Sequence, residues 1–262
     1  MRFYDGAVDK VTIAALQQMK RDGRKIVGVV AWDFQIAQIA DRAGVEIISV
    51  GDSVGLNLWG HENEQEITLD EMIVVCKAVR RGTKRALVSC DLPFRSVQEG
   101  VDSAVGAATR VVKEAGADMV KLDGAAESPE IVRAIVRAGI PVFAQFGDQS
   151  AEPMTTKRVD DGKRVVEAGA SLIDFKYSGS VAGPAVVNAV SIPVLGGMGG
   201  GPWLDGRMRM AHAAIGYGAG WLESKTETYA NVARVTLDAL TAYSDDVRAG
   251  RQIRGQLGVR SR

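Results

Sequence analysis

Asp52, Asp91 and Asp123 close three consecutive strand-like runs, EIISVGDS (46–53), RALVSCDLP (85–93) and MVKLDG (119–124). If these runs are neighbours in one sheet, three carboxylates converge on one rim and make a donor set for a hard cation. Mg²⁺ takes a few carboxylate oxygens and keeps its other positions for water or an oxygen-rich substrate, which it polarises. Any one of the three aspartates, taken alone, reads better as an N-cap or turn residue. Their repetition on successive strands is what points to chemistry. Ser53 adds a hydroxyl beside the first. Lys121 precedes Asp123 by two residues, so on a strand both project from one face. Its ammonium suits an anionic substrate, and equally suits the plain role of neutralising crowded carboxylates.

A particular fold is needed to bring these groups together. RAGVEIISV (42–50), EAGADMVKL (114–122), RAGIPVFAQ (137–145) and EAGASLIDF (167–175) each join a helical pattern, through a glycine, to a short apolar run. Gly44, Gly116, Gly139 and Gly169 suit the left-handed position that ends a helix, and the runs after them read as buried parallel strands. Strand-like runs fall at 26–33, 46–53, 85–93, 119–124, 141–146, 172–179 and 192–200, with a weak eighth near Gly218 to Leu222. Segments 69–82, 96–115, 128–138 and 203–215 are long enough for crossover helices. A doubly wound open sheet is the rival, but eight regular units favour an α/β TIM (β/α)8 barrel, whose active site lies at the C-terminal strand ends. The expected organisation is a single barrel domain over 1–262, with an N-terminal helical segment at 8–22 and a C-terminal one at 227–249.

Composition narrows the partner. Lys plus Arg (32) balance Asp plus Glu (32), so nothing in the total charge favours nucleic acid or an anionic membrane surface, and a small-molecule substrate is expected. No basic segment followed by an apolar one opens the chain, and no apolar run is long enough to span a bilayer, which leads us to expect a cytoplasmic protein. Cys76 and Cys90 lack metal-type spacing and read as reduced core residues. His61 reads as a loop or subunit contact and His212 as helix packing. The glycine run GGMGGG (196–201) offers backbone N–H groups to a phosphate, although close packing explains it better. Tyr177 and Trp32 flank strand ends, where they line a pocket or pack in the core.

VGDSVG (50–55), ITLDEM (67–72), AVRRGTKRALVSCDLPF (78–94) and MVKLDG resemble the ketopantoate hydroxymethyltransferase family in order and spacing. AWDFQIAQIADRAGVEIISVGDS (31–53), AGIPV (138–142) and the DGRM…AHAAIG stretch (205–216) extend the resemblance over most of the chain. It implies a TIM barrel related to phosphoenolpyruvate mutases and isocitrate lyases, assembled as a homo-oligomer, usually a decamer. It also implies transfer of a one-carbon unit from methylenetetrahydrofolate to a branched 2-oxo acid chelated to Mg²⁺. On that resemblance Asp52 and Asp91 are metal ligands, Asp123 fills the third acidic position, and Ser53 and Lys121 hold the oxo acid.

The chain also departs from the family pattern. The third acidic position is usually glutamate, so Asp123 is one methylene short. Gln145 stands where the family carries a histidine, and 148–169 lacks a glycine- and tyrosine-containing segment that helps cover the substrate. The family's catalytic glutamate aligns with Lys176, in LIDFKYSG (172–179). An ammonium with a reference pKa of about 10.4 takes a C3 proton only if its surroundings depress that value. Lys176 and Lys121 together would depress it and the aspartates oppose. Three readings stay open: Mg²⁺-dependent aldol-type bond formation or cleavage on a 2-oxo acid, a class I aldolase forming a Schiff base at Lys176, and a barrel that binds an oxo acid without catalysis. The plain role for Lys176 is an ion pair with Asp174 or the acidic cluster.

Overall fold

The computed structural model describes residues 9–148 and 155–255. Eight parallel strands, β1 (Ile26–Val30), β2 (Ile47–Val50), β3 (Leu87–Asp91), β4 (Met119–Leu122), β5 (Val142–Phe146), β6 (Leu172–Phe175), β7 (Val194–Leu195) and β8 (Gly206–Met210), lie in the order β7-β6-β5-β4-β3-β2-β1-β8. Asp205 N donates to Val194 O at 2.9 Å and Met208 N to Gly196 O at 3.2 Å, which draws the two ends of the sheet together into a TIM (β/α)8 barrel. Helices α1 (Ile13–Arg21), α2 (Phe34–Ala43), α3 (Leu69–Gly82), α4 (Phe94–Gln98), α5 (Val101–Arg110), α6 (Pro129–Arg137), α7 (Thr155–Glu167) and α8 (Ala182–Ala189) surround it. α9 (Ala211–Ile215) and α10 (Val232–Arg248) follow. Contacts divide the chain into one unit, Met1–Ala211, that holds every strand, and a second, His212–Arg262, built around α10. No described helix is long and apolar enough to cross a membrane.

Local chemistry sets the helix ends. Thr12, Asp33 and Asn231 accept backbone N–H groups at the starts of α1, α2 and α10, and Thr68 forms a reciprocal capping box with Glu71 on α3. Gly44, Gly116, Gly139 and Gly169 all have positive φ, from +75° to +97°, as their place between helix and strand predicts. The helical segments expected at 8–22 and 227–249 contain α1 and α10; residue 8 lies outside the described residues.

Acidic residues just before or beside the strands fix their register. Glu46 accepts from Val27 N at 2.9 Å, Asp118 from Val88 N at 2.9 Å and Asp205 from Val194 N at 2.8 Å. Asp41, buried on α2, accepts from Lys84 N, Arg85 N and Ala86 N at 2.7–3.2 Å and so fixes where β3 enters the sheet. A one-residue slip would turn every inward side chain outward, so these clamps protect the site above them.

The eighth strand is a correction. Gly218 to Leu222 contains a 3-10 turn (Ala219–Leu222), and the strand is Gly206–Met210, inside the 203–215 segment expected to be a crossover helix. Its sequence, GRMRM, alternates buried Gly206 and Met208 with exposed Arg207 and Arg209, a half-exposed pattern that lacks a strand's usual apolar run. Arg207 donates to the carbonyls of Gly197 and Gly200, so the glycine run is held by its oxygens. A Cβ at Gly196 would stand 2.7 Å from Phe175 O, and one at Gly199 2.8 Å from Tyr177 Cα. Close packing accounts for these glycines.

Candidate functional site

The barrel interior rises in three layers because strand side chains alternate with period two. Ile47, Leu87, Met119, Phe143, Leu172 and Leu195 form an apolar floor with Leu16 and Met19 of α1. Two residues further along the same faces stand Ser49, Ser89, Lys121, Gln145 and Asp174, and two further again Asp91 (from Ser89), Asp123 and Lys176. The floor is apolar, the middle is polar and the rim is ionic.

Hydrogen bonds link the middle layer to the rim. Ser89 Oγ donates to Ser49 Oγ at 2.7 Å, and Ser49 Oγ reaches Asp91 Oδ1 at 3.5 Å. Lys121 Nζ donates to Asp91 Oδ2 at 3.2 Å and stands 3.5 Å from Asp174 Oδ2. Gln145 Nε2 donates to that same Asp174 oxygen at 2.6 Å. Asp91, Lys121 and Asp174 are all buried. Asp174 Oδ1 is buried too, and no donor meets it among the described residues. At the mouth, Lys176 Nζ pairs with Asp123 Oδ2 at 2.9 Å, while Asp123 Oδ1 accepts from Gly124 N at 3.0 Å. Asp52 and Ser53 follow β2, both half-buried.

The electrostatics follow from burial. Desolvation pushes Asp91 up to about 7; Lys121 opposes that rise, and Asp52 and Asp174 add to it. Asp52 is raised as well, by burial first, against Lys121 and with Glu64 and Asp123 adding to the rise. For Lys121 burial works against the charge, but Asp91, Asp174 and Asp52 outweigh it and its pKa rises. The aspartates thus win over any mutual depression between the lysines at Lys121. Four aspartates (Asp52, Asp91, Asp123, Asp174) face two lysines (Lys121, Lys176), a formal excess of two negative charges.

The expected convergence of three aspartates is not what the strands produce. Among the described residues no three His, Cys, Asp or Glu side chains stand close enough to cage a metal ion. Asp123, its side chain 61% exposed, is turned toward Lys176, whereas Asp52 and Asp91 remain electrostatically joined across Lys121. What is left is two carboxylates, Asp52 and Asp91, in a site whose formal excess of two negative charges would balance a divalent cation. That fits Mg²⁺, which commonly binds through one or two carboxylates and takes its remaining oxygens from water and substrate.

Lys176 is tied to the acidic rim, by Asp123 and not by Asp174. Its backbone is equally fixed: Lys176 N donates to Phe146 O at 2.9 Å, and Tyr177 takes φ +54° with its N–H on Met198 O at 2.7 Å. A non-glycine residue at positive φ is a strained position beside the site. Gly147, at φ +109°, makes this possible, because a Cβ there would stand 2.1 Å from Lys176 O. Gly147→Ala is expected to cost about 1–3 kcal/mol, a melting-temperature drop of roughly 2–4 °C per kcal/mol for a chain of this size. A thermal melt checks it.

Sequence reasoning missed Ser49 and Ser89 and treated Asp174 only as a partner for Lys176. The signal was present: each lies two residues beyond a buried large apolar residue on its strand. His61 stands against Trp59 in the segment after β2, with ring centroids 5.8 Å apart, and His212 packs against Tyr217 at 4.8 Å. Cys76 and Cys90 are buried and unbridged. Within 148–169, residues 149–154 lie outside the described residues, and α7 occupies the rest of the helical stretch.

Comparison with known proteins agrees with this architecture. The chain is 38% identical over 256 residues to 3-methyl-2-oxobutanoate hydroxymethyltransferase from Moorella thermoacetica, covering 92% of this chain and 95% of that one. It is 39% identical over 257 residues to the enzyme of the same name from a Cyanothece strain, covering 91% and 96%. Among solved structures, 2,3-dimethylmalate lyase, a PEP mutase/isocitrate lyase superfamily member, superposes with a TM-score of 0.65 at 14% identity, covering 95% of this chain and 91% of that chain. Phosphonopyruvate hydrolase in complex with oxalate and Mg²⁺ gives 0.63 at 14%, covering 91% and 88%. These last two show the shared barrel. The sequence profile of ketopantoate hydroxymethyltransferase matches residues 10–252, and the chain belongs to that family.

Proposed function

We propose that the chain catalyses hydroxymethyl transfer to a branched 2-oxo acid such as 3-methyl-2-oxobutanoate, with methylenetetrahydrofolate as one-carbon donor and Mg²⁺ as cofactor. The observation that carries this reading is the buried pair Asp91 and Lys121, 3.2 Å apart, with Asp52 beside them. Asp52 and Asp91 would hold the cation. When bound, it supplies Lewis-acid polarisation of a keto oxygen and stabilises enolate charge. Lys121 holds the substrate carboxylate, as a buried ammonium kept charged by its neighbours. Ser53 offers a hydroxyl donor beside Asp52, and Gln145, set by Asp174, orients the oxo acid from β5. Lys176 and Asp123 close the rim as an ion pair. Self-association belongs to the same reading, supported by the exposed Leu56, Leu58 and Trp59 on the π-helical turn after β2, and a cytoplasmic location goes with it.

An assay of 3-methyl-2-oxobutanoate with methylenetetrahydrofolate tests it. Hydroxymethylated product is expected with Mg²⁺, and none after EDTA, with recovery when the cation is restored. A borohydride-trapped adduct on Lys176 without product would overturn the reading in favour of a Schiff-base aldolase. Oxo acid binding with neither product nor adduct would favour a non-catalytic barrel.

A further inference from the structure

Hydroxymethyl transfer to a branched 2-oxo acid begins with loss of the C3 proton, so the site needs a base. Resting on the proposed reaction, the inward groups can be taken in turn. Lys121 is an ammonium between two buried carboxylates, 3.2 Å from Asp91 and 3.5 Å from Asp174, and cannot accept a proton. Lys176 is paired with Asp123 at 2.9 Å, which occupies both. Gln145 is an amide and has no basic lone pair. Asp52 and Asp91 are the pair assigned to the cation.

Asp174 remains, and its geometry is specific. It lies on β6 directly beside Gln145 in the strand register, and the Lys121 ammonium reaches it from β4. Its Oδ2 takes both contacts, Gln145 Nε2 at 2.6 Å and Lys121 Nζ at 3.5 Å. Its Oδ1 is buried and met by no donor among the described residues. A buried acceptor without a partner costs about 1–3 kcal/mol, and such a group calls for an explanation. Gln145, by fixing Oδ2, also fixes the direction of Oδ1, as a base is usually oriented by a third group.

We propose that Asp174 is the general base of this site, taking the C3 proton of the 2-oxo acid on Oδ1. The C3–H bond breaks and its electron pair forms the C2–C3 double bond. The C2–O π pair moves onto oxygen, and the proton remains on Asp174 as a neutral carboxylic acid. The base thus sits on the sixth strand inside the barrel, and the lysine two residues further on is a rim group.

Proton exchange in D₂O tests this without the one-carbon donor. With Mg²⁺, the wild-type protein should exchange the C3 proton of 3-methyl-2-oxobutanoate, followed by NMR. Asp174→Asn should slow exchange at least about a hundredfold, the usual range for loss of a general base, while line broadening of the oxo acid shows that it still binds. Asp174→Glu, which keeps the carboxylate, should retain part of the exchange, and formate added to Asp174→Ala should restore it in proportion to concentration. A merely structural role would give no formate rescue. Exchange in Asp174→Asn at the wild-type rate would overturn this assignment and leave the proposed function intact. Should Asp174→Asn fail to fold, the Asp174→Glu and formate results decide, and absence of both would overturn it. No exchange and no broadening with the wild-type protein would overturn the proposed reaction and this base together.

Discussion

Asp91→Asn is expected to lower turnover about a thousandfold, corresponding to roughly 4 kcal/mol of lost transition-state stabilisation. Asp91 is the most deeply embedded of the proposed cation ligands, 8% exposed and bonded on both oxygens from within the barrel. An asparagine keeps the shape and one acceptor but removes the negative charge that a divalent cation needs. The loss should therefore appear in cation binding as well as in rate, and titration of Mg²⁺ by calorimetry against the wild-type protein checks it directly. Folding should suffer less than in a variant that removes the Lys121 charge, because Asp174 still faces that ammonium at 3.5 Å when residue 91 is neutral. A variant that bound Mg²⁺ as the wild type does would remove Asp91 from the ligand set. Asp123→Asn should weaken cation binding far less, since Asp123 is exposed and turned toward Lys176.

Much of this arrangement is legible in the sequence. A glycine between helix and strand at four places named the αβ repeat, and short apolar runs named seven of the eight strands. The eighth was hidden because GRMRM is short and carries arginines at alternate positions, so it lacks the continuous apolar run by which the other strands stand out. Asp52, Asp91, Lys121 and Lys176 were legible as strand-end charges. The partners they choose were not. Asp123 pairs with Lys176 because the fourth and sixth strands bring their ends within reach across the rim, a separation of 53 residues that no local pattern encodes. Asp174 reads in sequence as one more polar residue in LIDFKYSG, and only the register that sets it beside Gln145, with the approach of Lys121 from β4, shows its place inside the barrel. Ser49 and Ser89 were passed over for the opposite reason. Small hydroxyls fit any strand interior, and their role as a buried relay to Asp91 depends on two strands meeting in one register.

Lys121→Met should damage stability and substrate affinity together. Lys121 is 7% exposed and stands between Asp91 and Asp174, which are themselves 8% and 4% exposed. Removing one member of a buried ion-pair network leaves its partners uncompensated, and such losses run to about 3–5 kcal/mol. Methionine keeps the length and apolar stem of the side chain, so the loss reports the charge and not a cavity. Chemical denaturation should show it as a lower midpoint with an unchanged slope. The double variant Lys121→Met, Asp174→Asn separates the causes, because the second change removes one of the stranded charges. It should recover part of the lost stability, giving the non-additivity expected of residues in one network. Affinity for the oxo acid should not recover with it, because the ammonium proposed to hold the substrate carboxylate is still missing. Recovery of both would mean that Lys121 only neutralises Asp91 and Asp174, the plainer role its position on β4 also allows, and the grip on the substrate would then have to come from Ser53 and Gln145.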